Sequence, residues 1–130
     1  MGATTYQWIL DNDPGSWAYT QPCWVFTHRQ FPQTDHDVRF TSAPVPEVHA
    51  AMVEAAAGKD VWVVGGGELV GQFHDHGLLD ELFVQFGSVT LGAGKPLLPR
   101  AIVDPPLKLI SMRAIGTRFA ELHYEVQRRR

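Results

Sequence analysis

Apolar and polar positions alternate in two rhythms along this chain, one helical and one extended. Near the start, Tyr6, Ile9 and Leu10 fall on one helical face. Thr4 stands where a cap would, with Gln7 three residues on to close a capping box, and Asp13-Pro14-Gly15-Ser16 ends the helix in a turn. The chain therefore enters a helix almost at residue 1, with no strand before it. Residues 23–27 form a short β-rich run, a polar segment follows from His28 to Asp37, and Val38-Arg39-Phe40-Thr41 is a second short strand by alternation. Pro44 and Pro46 fix the entry to a helix over residues 47–57. Its predicted buried stripe is Val48, Ala51, Met52 and Ala55, and Gly58 suits the left-handed position at its end.

Val61-Trp62-Val63-Val64 is apolar without alternation, which predicts a strand covered on both faces. Gly65-Gly66-Gly67 follows at once. Residues 68–76 then read as a helix, with Leu69 and Phe73 facing inward and Gly77 at its end. Strand patterns continue at residues 82–86, 108–114 and 119–126, the last two joined by a hairpin turn at Ile115-Gly116-Thr117-Arg118. Two strands alternating with helices, then several strands in a row, give an α/β domain with an antiparallel C-terminal edge.

Composition narrows the choices. At 130 residues the chain has room for a single domain spanning 1–130. A net charge of −3 gives no basic footprint for nucleic acid, and Arg128-Arg129-Arg130 reads as a solvated, frayed tail. Cys23 is the only cysteine, so no intrachain disulfide forms and a reducing compartment follows. No apolar run approaches the ~20 residues of a bilayer span, and no basic-then-apolar leader opens the chain. The expectation is a soluble, cytoplasmic protein.

The chemistry gathers at glycines. Three of them between a buried strand and a helix let a ligand approach the backbone without Cβ obstruction. The helix that follows aims unpaired N–H groups and its positive dipole end at the loop, an arrangement suited to a pyrophosphate. A tight turn that binds nothing explains a glycine triplet equally well. The triplet is not a Rossmann fingerprint, since Val70 stands where the third glycine belongs and Gln85 where the ribose-binding acid belongs. A second helix start at Gly2-Ala3-Thr4-Thr5 could hold the other side of a dinucleotide phosphate, although a threonine there also serves as a plain cap. Thr27, His28 and Arg29 sit at the C-terminal end of a strand, where ligands of open α/β sheets collect. Arg29 and Thr27 suit an additional phosphate; solvated loop residues fit as well. Asp80 and Glu81 are either carboxylates near a substrate or a charged turn. Gly92 and Gly94 admit a ligand close to the backbone or simply turn the chain. His74-Asp75-His76 gives no metal site, because helical residues two apart do not face each other. His28, His36, His49 and His123 are scattered, and no serine lies in a Gly-x-Ser-x-Gly elbow, so hydrolase chemistry has no support.

Four segments in order make a family resemblance. Residues Val61 to Leu69, with Gln72-Phe73 after them, resemble the cofactor loop of the dihydrofolate-reductase-like fold. Gly77-Leu78-Leu79-Asp80-Glu81-Leu82 and Leu91-Gly92-Ala93-Gly94-Lys95-Pro96-Leu97 resemble one branch of it: the C-terminal reductase domain of the bifunctional riboflavin-biosynthesis deaminase-reductase. Met1-Gly2-Ala3-Thr4-Thr5-Tyr6 is similar to the superfamily's segment at the end of its second strand. The resemblance implies a three-layer α/β/α fold with a mixed, mostly parallel sheet and an antiparallel C-terminal hairpin. It implies a homodimeric, NADPH-dependent oxidoreductase whose substrate is 5-amino-6-(5-phosphoribosylamino)uracil, with the ribosyl group reduced to ribityl. By position, Gly65, Gly66, Gly67, Glu68 and Leu69 would hold the pyrophosphate region. Gly2, Thr4 and Thr5 would face it from the other helix, with Thr27, His28 and Arg29 near the adenosine phosphate. Asp80, Glu81 and Gly92 are the candidate substrate contacts, and no catalytic residue is assigned. The resemblance also implies that the peptide between adjacent glycines is cis.

Two strands and a helix that open the superfamily's fold have no counterpart before Met1. Their loss from a sheet interior would leave backbone unpaired. An internal methionine standing as the start is the favoured explanation, ahead of dimerisation that fills the gap and of a degenerate relative that keeps only the nucleotide loop. Rival functions are a dihydrofolate or pterin reductase on the same fold and a non-catalytic nucleotide-binding or assembly protein.

Overall fold

Strand β1 (Cys23–Phe26) lies between two helical layers, and its side chains show how. Val25 is fully buried on one face, packed with Met1 and Tyr6, while Trp24 and Phe26 point to the other face. Tyr6 belongs to α1 (Ala3–Asn12), so α1 covers the Val25 face. The opposite face is covered by α2 (Val45–Ala56) and α3 (Gly67–Asp75), whose Val45, Val48, Met52, Leu69 and Phe73 make one buried cluster. Helix, strand and helix thus form three layers, in a computed structural model that describes residues 1–129.

Strand β2 (Val38–Thr41) pairs in parallel with β1, Cys23 opposite Val38 and Phe26 opposite Thr41. On β1's other edge the chain start takes the place of a strand. The Phe26 N–H donates to Met1 O at 3.0 Å, and Gly2 bridges Phe26 in parallel. Strands β3 (Glu81–Gly87), β4 (Lys108–Ile115) and β5 (Phe119–Glu125) form a separate antiparallel sheet in the order β3-β5-β4. The fold is mixed α/β as expected, but its ladders fall into two sheets, one parallel and one antiparallel.

The break has a local cause. Residues 61–64, expected as a buried strand, join no ladder, and Trp62 is 66% exposed. Their side chains still alternate between layers, Val61 and Val63 against the α2–α3 cluster and Val64 against the α1 cluster. The missing ingredient is a neighbour: Val61, Trp62 and Val64 line a cavity of about 570 Å³ together with residues 19–24. A strand is defined by its partner's hydrogen bonds, so apolar character alone leaves this run outside any ladder.

Other expectations shift in detail. Gly2, not Thr4, is the N-cap of α1, and Gln7 donates to Asp11 Oδ1 at 2.9 Å instead of closing a box. Helix α2 begins two residues earlier than expected and buries Val45, leaving Ala51 and Ala55 exposed. Its left-handed end is shared by Ala57 and Gly58. The basic tail is not free: Arg128 binds Asp80 at 2.6 Å and Gly77 O at 2.8 Å, and Arg129 binds Asp104 at 2.7 Å. Arg130 lies outside the described residues. Among the described residues no helix is long and apolar enough to cross a membrane.

Candidate functional site

Two helices start side by side. The Gly2 N–H donates to Gly65 O at 2.9 Å, which ties the residue before α1 to the loop before α3. Gly2 and Gly66 are the two N-caps; both have extended backbone, and neither helix start has a side-chain cap. The first helical bonds are Tyr6 N–H to Gly2 O and Val70 N–H to Gly66 O, each 3.1 Å. The N–H groups of residues 3–5 and 67–69 therefore lie outside the helical ladders. Two positive dipole ends converge on one place, where an anion gains from both.

The next position along this edge is the end of β1. Gly2 bridges Phe26, and Thr27 follows, its N–H bonded to Thr41 O at 2.8 Å. The Thr27 hydroxyl accepts the Arg29 N–H at 2.8 Å, a turn that carries His28 and Arg29 outward into solvent. The structure thus brings Gly2, Thr4, Thr5, Thr27, His28, Arg29 and residues 65–69 to one edge, on the C-terminal side of β1.

The three loop glycines do different things. Gly65 has φ +134°, where a side chain is strained. The Gly65–Gly66 peptide is cis. A Cβ on Gly66 would meet nothing within 4 Å, so the space over the loop is open. A Cβ on Gly67 would come 2.5 Å from Leu97 O, so this glycine is required by the chain's own packing.

Beyond the glycines, Leu69 is buried in the α2–α3 cluster and offers the loop only its backbone N–H. The Glu68 carboxylate is bound by Arg100, whose Nη1 and Nη2 reach Oε2 and Oε1, each at 3.1 Å. Arg100 also holds Asp75 through Nε and Nη2, both at 2.8 Å. These hydrogen bonds, with the guanidinium charge, set both carboxyls below their ordinary range and raise the arginine. Sequence reasoning missed Arg100, which lies 32 residues from Glu68 and 25 from Asp75. Gly71 was the available signal, because a glycine inside a helix costs about 1 kcal/mol relative to alanine and usually has a packing reason. A Cβ there would stand 2.7 Å from the Arg100 Cζ.

The candidate substrate residues sit in ordinary surroundings. Asp80 pairs with Arg128, and the Glu81 carboxylate lies 2.9 Å from His123 Nε2 at the start of β3. Gly92 turns the chain with φ +76°. Asp75 is committed to Arg100, and the His76 ring Nδ1 lies 2.8 Å from Gln72 O. The large cavity opens beside Cys23 and Trp62 and reaches inward to Met1 and Val64, the residues just before Gly2 and Gly65.

Known proteins are similar to this chain in sequence and in fold. The family model described as RibD C-terminal domain matches residues 9–120. The uncharacterized protein YwjB of Bacillus subtilis (strain 168) is 27% identical over 124 residues, spanning 95% of this chain and 70% of YwjB. The uncharacterized protein YyaP of the same organism is 34% identical over 67 residues, 52% of this chain and 36% of YyaP. Among solved structures, a putative riboflavin biosynthesis protein from Shewanella sp. PV-4 superposes with a TM-score of 0.77 at 24% identity, covering 98% of this chain and 72% of that one. A pyrimidine reductase-like protein from Corynebacterium diphtheriae gives 0.53 at 20% identity, covering 71% and 39%.

Proposed function

This chain belongs to the RibD C-terminal domain family, and from that premise we propose that it binds NADPH across its two adjoining helix starts and serves as a reductase. One observation carries the reading: the Gly2 N–H to Gly65 O bond that sets together two helix N-termini without side-chain caps, with open space over Gly66. The donor set fits a pyrophosphate. Residues 3–5 offer N–H groups from one side and residues 67–69 from the other. Thr27, His28 and Arg29 extend the same edge, and the Arg29 guanidinium would take the phosphate that distinguishes NADPH from NADH. Asp80, Glu81 and Gly92 remain the proposed substrate contacts.

The bound dinucleotide would supply the hydride, and the chain's own part is binding and orientation. The substrate class favoured is a phosphoribosylamino-pyrimidine, on the strength of the Leu91 to Leu97 run and of the family itself. The test is loss of nicotinamide absorbance when the purified chain is given NADPH with 5-amino-6-(5-phosphoribosylamino)uracil, beside a dihydrofolate control. Turnover with the pyrimidine alone supports the reading. Turnover with dihydrofolate alone would move the protein to pterin reduction, and cofactor binding without turnover on either would leave a nucleotide-binding protein.

A further inference from the structure

The guanidinium of Arg100 has five N–H bonds to give, and the structure uses all of them. Nε and Nη2 form a fork to Asp75 at 2.8 Å each, while Nη1 and Nη2 form a second fork to Glu68 at 3.1 Å each. The fifth, from Nη1, goes to Pro99 O at 2.8 Å. Glu68 lies in the first turn of α3 and Asp75 is its last residue, so one side chain bridges the helix end to end. Gly71, midway between them, leaves the room in which the guanidinium lies. Just before Arg100, Leu97 O and Pro99 lie close against Gly67, at the helix start.

The position of Glu68 makes this more than a brace. Its backbone N–H is one of the α3 donors proposed for the pyrophosphate, and its carboxylate would oppose an anion held at the same helix end. We propose that Arg100 is a positioning residue of the nucleotide site: it neutralises Glu68 beside the anion and fixes segment 97–99 against the first turn of α3. This deepens the reading of a nucleotide site and rests on it.

The experiment compares NADPH dissociation constants and melting temperatures for the natural chain, Arg100→Gln, Glu68→Gln and the double variant, each at low and high salt. Arg100→Gln should weaken binding on the order of tenfold at low salt, and the loss should shrink at high salt. The double variant should recover most of that loss, because the unpaired carboxylate is gone. A purely structural clamp predicts no recovery, since the double variant lacks the bridge as well. If Arg100→Gln does not fold, Glu68→Gln alone decides: tighter binding, by about two- to fivefold as for a screened surface charge, supports the proposal, and unchanged or weaker binding overturns it. A double variant that binds as poorly as Arg100→Gln overturns it too. If the natural chain binds neither NADPH nor inorganic pyrophosphate, the nucleotide reading itself falls and takes the proposal with it.

Discussion

Replacing Gly66 with valine separates the ligand from the fold more cleanly than any other change in the loop. Gly66 has φ −82° and ψ −171°, an extended conformation open to any residue. A Cβ built there meets no heavy atom within 4 Å. The introduced isopropyl group would stand in the space over the two helix starts, where the pyrophosphate is proposed to lie. A charge-assisted hydrogen bond is worth roughly 1.5–3 kcal/mol, so displacement from two of the N–H donors costs about 3–6 kcal/mol. At about 1.4 kcal/mol per decade, Gly66→Val should weaken NADPH by at least about a hundredfold. Trp62, shortly before the loop and largely exposed, provides a fluorescence signal for the titration. Circular dichroism and the melting temperature should stay close to those of the natural chain. An unchanged dissociation constant in a folded Gly66→Val protein would refute the reasoning. Gly67→Ala would not substitute for this test, because its methyl meets Leu97 O and disturbs packing before any ligand is present.

Arg29→Ala should weaken NADPH while sparing NADH, measured by parallel titrations; an equal loss for both would remove Arg29 from the extra phosphate. Phe73, 1% exposed among Val45, Val48, Met52 and Leu69, should cost about 3–5 kcal/mol in urea unfolding when changed to alanine, and a loss below about 1 kcal/mol would mean the α2–α3 cluster is not the main core. Glu68 and Asp75 have lowered pKa values, so their contribution to stability is present above their ordinary values of 4.5 and 3.8 and is lost as pH falls through the lowered ones. Acid unfolding should therefore steepen below about pH 4, and Arg100→Gln should flatten that part of the profile; identical acid limbs would show that the clamp is not formed in solution.

Local parts of this fold are legible in the sequence and long-range parts are obscure. Helices α1, α2 and α3 and all five strands can be placed within a few residues, because each carries its own periodicity and its own turn signals. Val61 to Val64 suggest a strand by apolarity alone, and apolarity cannot say whether a neighbouring strand supplies hydrogen bonds. Thr4 looks like a cap by type, but the chain turns into the helix two residues earlier, where Gly2 must approach Gly65. Ala51 and Ala55 are small enough to sit on either face of α2, so a stripe drawn through them carries little information. At the site, the gathering of Gly2 and Gly65 at one edge follows from the family resemblance, and the structure places them in contact. The duty of Gly67 is not legible, since it depends on Leu97, which returns from 30 residues downstream (97 − 67). Arg100 and Arg128 escape notice for the same reason: their carboxylate partners are distant in sequence.

Backbone amide chemical shifts, followed by NMR as NADPH is added to the labelled chain, put the convergence of two helix starts to the most direct test. The amides of residues 3–5 and 66–69 should shift together and saturate at one ligand concentration, with smaller changes at Thr27 to Arg29. Inorganic pyrophosphate should reproduce the first two sets and leave the third still. Shifts confined to residues 19–24 and 55–62 around the large cavity, or none in either helix start, would contradict the placement of the nucleotide.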